Sequence, residues 1–137
     1  MFWAVKLSLT IFLIVCSITD IRKRIVYLKV LLPFAIIAIC IQIFFKGRGI
    51  FDIAGGVLVG LAMLGLNRLS HEDVGAGDAL VLMVTGCFLG LYGNIRLLMG
   101  ALFFASIFSI VMLLLKRCDR KTPLPFMPFL LASYLFL

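Results

Sequence analysis

The chain reads as an all-α membrane protein with six transmembrane helices, and three observations predict that class. Of its 137 residues, 64% are hydrophobic and only 14% charged, against roughly 45–50% apolar and about 25% charged in a soluble domain. The apolar residues fall into six runs. The charges gather in the short connectors between those runs. An excess this large cannot be hidden in one small core, which excludes a water-soluble monomer; intrinsic disorder, which needs low hydrophobicity, is excluded too. The net charge of +7 could suggest nucleic acid, but its confinement to connectors reads as membrane topology, so no nucleic-acid partner is expected. The length fits one domain, residues 1–137, and at about 20 residues per crossing it allows at most six spans.

The six runs are 2–19, 30–45, 50–66, 79–93, 95–115 and 126–137. Helices are required because an unpaired backbone group costs several kcal/mol in hydrocarbon. A barrel would need alternation of period two, and 107–115 has none. The first run is not a cleavable signal: Cys16-Ser17-Ile18-Thr19 offers no small-x-small site, and a basic stretch follows that would stop transfer. The second run ends at Lys46-Gly47-Arg48-Gly49. The third carries Gly56-x-x-x-Gly60 after Gly55, a small-residue packing pattern. Its plain use is packing within the monomer; a homodimer seam is the alternative. A tight turn at Gly93-Asn94 is expected between the fourth and fifth runs. Two runs are short: 79–93 covers about 22 Å and 126–137 about 18 Å at 1.5 Å per residue, against a hydrocarbon core of about 30 Å. Local thinning or burial among neighbours would accommodate them.

Alternating the connectors places Arg22, Lys23, Arg24, Lys29, Arg68, Lys116, Arg117, Arg120 and Lys121 on one side. Lys6, Lys46, Arg48 and Arg96 fall on the other. The positive-inside rule puts the larger group in the cytoplasm and both chain ends outside. Arg22-Lys23-Arg24 and Lys116-Arg117 are chiefly topology determinants; they also suit a bilayer with anionic headgroups.

That topology fixes where the few acidic residues sit. Asp20 closes the first helix and Asp78 opens the fourth, both at cytoplasmic ends, because the intervening hairpin crosses twice. Ionisable groups at membrane depth are costly and often functional. Two carboxylates within about 3–4 Å cannot both ionise, so such a pair shares a proton; the ionised member can take a proton from water while the neutral one polarises a carbonyl. The plain reading of Asp78 is a helix N-cap. Gly75 and Gly77 favour the sharper one, since they remove Cβ atoms beside Asp78 and let an extended peptide approach.

Three segments together resemble the type IV prepilin peptidases, the G-x-G-D intramembrane aspartyl proteases. Asp20-Ile21-Arg22-Lys23-Arg24-Ile25-Val26 looks like the family's D-x-R…I segment. Gly75-Ala76-Gly77-Asp78-Ala79-Leu80 matches the G-x-G-D signature. Pro123-Leu124-Pro125-Phe126-Met127-Pro128-Phe129 is similar to the P-F-x-P-F element that opens the last helix. Order and spacing agree over essentially the whole chain.

The resemblance implies removal of the cytosolic leader from type IV pilin-like precursors, with Asp20 and Asp78 as the catalytic aspartates. Gly75, Gly77, Arg22, Pro125, Phe126 and Pro128 would support the motifs. The implied partner is a single-span prepilin-like substrate, and the implied place is the bacterial or archaeal cytoplasmic membrane, multi-pass, with the active site facing the cytoplasm. The expected form is the short, peptidase-only one, because no C-x-x-C occurs and nothing precedes the first helix. The chain departs from the family at Tyr27-Leu28, where many relatives carry Pro-Asn, and at Leu80, where many carry Lys.

The remaining polar residues are read plainly. His71, Glu72 and Asp73 solvate the central loop. Cys16, Cys40, Cys87 and Cys118 stand alone, without the clustering a metal site or disulfide framework needs, so neither metal nor cofactor is expected. Two other classes fit the same composition: a catalytically degenerate homologue acting as a scaffold in pilus or secretion assembly, and a small transporter binding a cation at an intramembrane carboxylate. A transporter usually shows internal repeats or broken helices, and no convincing repeat is evident.

Overall fold

The first helix presents its apolar residues at helical spacing. Leu9, Phe12, Leu13 and Cys16 recur at i, i+3, i+4 and i+7, and all four are buried, while Ile11, Ile14 and Ile18 face outward. The computed structural model describes residues 2–23, 28–45, 49–69, 76–116 and 124–137, and among these every regular element is helical. They are α1 (Phe2–Lys23), α2 (Leu28–Phe45), α3 (Ile50–Leu69), α4 (Ala76–Leu114) and α5 (Met127–Phe136). Three helices, Trp3–Lys23, Ile50–Leu69 and Ala76–Leu114, are long and apolar enough to cross a membrane; α2 and α5 are shorter apolar helices. Trp3, Phe44, Phe51 and Phe136 are each more than three-quarters exposed, an apolar exterior suited to lipid.

The described residues form five helical elements rather than six separate ones, because the fourth and fifth runs are joined in α4. That element is not straight. Gly90 stands at φ 71°, ψ −172°, a region essentially restricted to glycine, and the second arm folds back along the first. Asn94 records the reversal: its Nδ2 donates to Leu82 O and to Gly56 O, both at 2.9 Å, and its Oδ1 accepts from Thr85 Oγ1 at 2.8 Å. Three of the four hydrogen bonds available to an amide side chain are thus made in a fully buried position.

The expected turn at Gly93-Asn94 therefore lies three residues earlier. Two other helices hold the break. Gln42 Nε2 of α2 donates to Cys87 O at 3.0 Å, satisfying a carbonyl at the end of the first arm. Asp52 Oδ1 of α3 accepts the Leu91 N–H at 2.9 Å, capping the start of the second.

Packing is closest between α3 and α4. A Cβ on Gly56 would meet the backbone of Gly86, and one on Gly60 would meet Met83 and Ala79 O. The small-residue stripe of α3 is thus used within the chain, against the first arm. Rings close the rest of the bundle: Phe12 of α1 and Phe34 of α2 lie 5.0 Å apart at their centroids, and Phe108 of the second arm lies 5.4 Å from Phe129 of α5. Ser133 of α5 donates to Leu97 O at 2.9 Å.

Candidate functional site

The site is built where α1 ends and where α4 and α5 begin. Asp20 sits in the last turn but one of α1 and is only 8% exposed. Arg22 and Lys23 follow it in the last turn, both exposed, where cations complement the helix dipole. α5 starts in the same place. Its N-cap residue, Phe126, makes no side-chain cap bond. Instead the Met127 N–H donates to Asp20 Oδ2 at 3.3 Å, so a carboxylate from α1 caps α5. Pro128 costs this helix nothing, because a first-turn N–H has no intrahelical partner. Pro125, Phe126 and Pro128 are half-buried, and Phe126 packs against the core.

Asp78 approaches from α4. The helix begins at Ala76, so Asp78 lies in its first turn rather than at the expected cap position. It is half-buried, as is Gly77 beside it. The Asp20 charge acts on the Asp78 carboxyl across the gap between α1 and α4. The structure thus brings Asp20 and Asp78 to one end of the bundle, together with the α5 N-terminus. Gly75 lies outside the described residues, as do Arg24, Tyr27, His71, Glu72 and Asp73. Leu80, in the position where many prepilin peptidases have lysine, is half-buried and packs against the core.

Chemically, two carboxyls that feel each other's charge at the end of an apolar bundle can hold a water and divide acid and base roles between them. The half-buried Asp78 is open to an incoming group, whereas Asp20 is enclosed and already holds one backbone N–H.

Several polar residues escaped the sequence reading. Gln42 and Thr85 sit inside apolar runs, and that alone is a usable signal, because a polar group in such surroundings must be satisfied; Asn94, read as half of a turn between two runs, has an interior role that the turn reading missed. Asn67 is a fourth. It is buried at the end of α3, and its Oδ1 has no hydrogen-bond partner among the described residues. It continues the Gly56 and Gly60 stripe toward the start of α4, because α3 runs antiparallel to the first arm.

A model of the type IV leader peptidase family matches residues 7–114, a stretch that contains both aspartates and ends before residues 123–129. No curated protein and no solved structure matches the chain.

Proposed function

Because the chain belongs to the type IV leader peptidase family, a family of proteases, we propose that it is an aspartic-type endopeptidase whose catalytic pair is Asp20 and Asp78. Its substrates are type IV pilin-like precursors with a single apolar span. It removes their leader at the cytoplasmic face of the bacterial or archaeal membrane. The observation that carries the reading is the match to a leader peptidase family over a stretch that holds both aspartates, together with their position at one end of the bundle, Asp20 near the end of α1 and Asp78 in the first turn of α4.

In this reading the chain crosses the membrane six times, through α1, α2, α3, both arms of α4, and α5. The positive-inside asymmetry turns the Asp20 end to the cytoplasm. One carboxylate removes a proton from the water held between the pair, and the oxygen attacks the scissile carbonyl. The other, protonated, hydrogen-bonds the carbonyl oxygen as negative charge develops there. The proton taken from water then passes to the leaving amine, with no covalent intermediate. The backbone at Gly77 leaves room for an extended substrate strand beside Asp78.

The experiment is incubation of the purified protein in lipid with a candidate pilin precursor, followed by the mass of the product. Cleavage at the leader junction, abolished by Asp20→Asn and by Asp78→Asn, is the expected result. A second reading, a non-catalytic homologue acting in assembly, is favoured by Leu80. It stands if wild type cuts no precursor; cleavage restored by Leu80→Lys would then trace the degeneration to that position, and continued inactivity would leave the scaffold and transporter readings.

A further inference from the structure

At the end of the bundle opposite Asp20 and Asp78 lies a cavity of about 810 Å³, within the 300–1,000 Å³ typical of small-molecule pockets. It is enclosed by the beginning of α1, the end of α2, the Gly90 reversal and the end of α5. We propose that it binds one anionic phospholipid, with Arg96 and Lys6 facing the headgroup phosphate and the upper acyl chains lying on Ile41, Leu89 and Leu135. This assignment needs no peptidase activity, but it rests on the same six-crossing topology.

Charge is the first argument. The side of the membrane to which this end belongs carries only four of the thirteen basic residues, and two of those four line this one cavity. Cations that merely set topology would lie on the other side. A basic pocket between helices suits a phospholipid headgroup.

The lining is the second argument. Ile41, Leu89 and Leu135 make an apolar floor that the fold leaves partly uncovered, while Gln42 and Tyr134 make a polar wall whose positions are set by hydrogen bonds: Gln42 Nε2 to Cys87 O at 3.0 Å, and Tyr134 Oη to Lys6 O at 3.5 Å. A soluble phosphate would meet the cations but leave that floor uncovered. An amphiphile covers both. Arg96 is exposed, which puts the charged part of the cavity at its mouth.

The test is native mass spectrometry of the full chain, released from a non-ionic detergent, with phosphatidylglycerol or phosphatidylcholine of identical acyl chains. Wild type should retain one phosphatidylglycerol in preference to phosphatidylcholine by about fivefold for each cation. Lys6→Gln with Arg96→Gln should lose that preference, and Arg96→Lys and Lys29→Gln should keep it. If the double variant loses its helical circular dichroism, Arg96→Gln alone is read, with a fall of about fivefold expected. Equal retention of the two lipids by wild type, or an undiminished preference in the correctly folded variants, overturns the proposal. So does glycerol phosphate without acyl chains competing as well as the lipid, because the site would then belong to a soluble phosphate.

Discussion

Asp20 Oδ2 accepts the backbone N–H of Met127 at 3.3 Å, so the first helix supplies the cap that the last helix lacks. The same carboxylate is proposed to work with Asp78. Asp20 therefore has two separable duties, one mechanical and one chemical, and substitutions can part them.

Asp20→Asn keeps an oxygen acceptor and should hold α5 in place, with a melting temperature in lipid or detergent near wild type. Asp20→Ala removes the cap and should cost about 1 kcal/mol. Both should abolish cleavage. Asp78→Asn should abolish cleavage with little effect on stability, since no described residue accepts or donates a hydrogen bond to that side chain. The double Asn variant should be no less active than either single one, because the two groups act as a unit. Measurable processing by any of these variants would remove the pair from the mechanism.

The rate of cleavage against pH should be bell-shaped. Catalysis by such a pair requires one carboxyl ionised and its partner protonated, a state lost when both carry protons and again when neither does. A rate that rises to a plateau without a second limb would argue against shared acid and base roles.

The Gly90 reversal rests on backbone freedom and on a cap from α3. Gly90→Ala puts a side chain where φ is 71° and ψ is −172°, with its Cβ driven into the Asp52 carboxylate. A loss of more than about 2 kcal/mol is expected, since the conformation itself costs roughly 1–3 kcal/mol for other residues. Asp52→Asn retains an oxygen for the Leu91 N–H and should keep both stability and cleavage close to wild type. Asp52→Leu should destabilise by about 1 kcal/mol, the usual effect of removing a cap. Thermal melts of the three variants check the order.

Asn94→Leu tests the polar pin between α3 and the two arms of α4. Its three hydrogen bonds disappear and Gly56 O is left buried, so the expected loss is about 2–4 kcal/mol. Because the first arm carries Asp78, cleavage should fall along with stability. Asn94→Asp, which cannot donate to both carbonyls, should be no better. An unchanged melting temperature in Asn94→Leu would mean the pin contributes nothing.

The sequence makes the positions of the helices legible, since apolar runs mark them to within a few residues. It also brings Asp20 and Asp78 to one end, because counting crossings is enough to do so. What escapes it is the set of polar contacts made between distant helices. Gly93-Asn94 reads locally as a turn, for Asn and Gly are the usual turn residues. In the fold Asn94 is an interior crosslink, and Gly90 turns the chain because Gln42 and Asp52, each about forty positions away, satisfy the groups it frees. The cap from Asp20 to Met127 spans more than a hundred positions. No local pattern announces it. Asp78 likewise reads as a cap, although the helix extends back to Ala76 and takes it into the first turn.

The last prediction concerns orientation, which the basic residues alone decide. Nine lie in connectors assigned to the cytoplasm and four on the other side, and a cation bias in short connectors sets the overall topology. In a background with Cys16, Cys40, Cys87 and Cys118 replaced, a single cysteine introduced within 116–125 should resist an impermeant thiol reagent applied to intact cells and react after the membrane is broken. A cysteine introduced within 46–49 should react in intact cells. The first stretch leads into α5 through residues 124 and 125, and the first N–H of α5 is capped by Asp20, so a cysteine at either of those two positions reports on the Asp20 end. The second follows α2, whose far end lines the Arg96 cavity through Gln42. The labelling pattern therefore orients both sites at once. The reverse pattern would turn the Asp20 end outward, away from any leader held in the cytosol, and would rule out leader removal at the cytoplasmic face whatever the carboxylates can do.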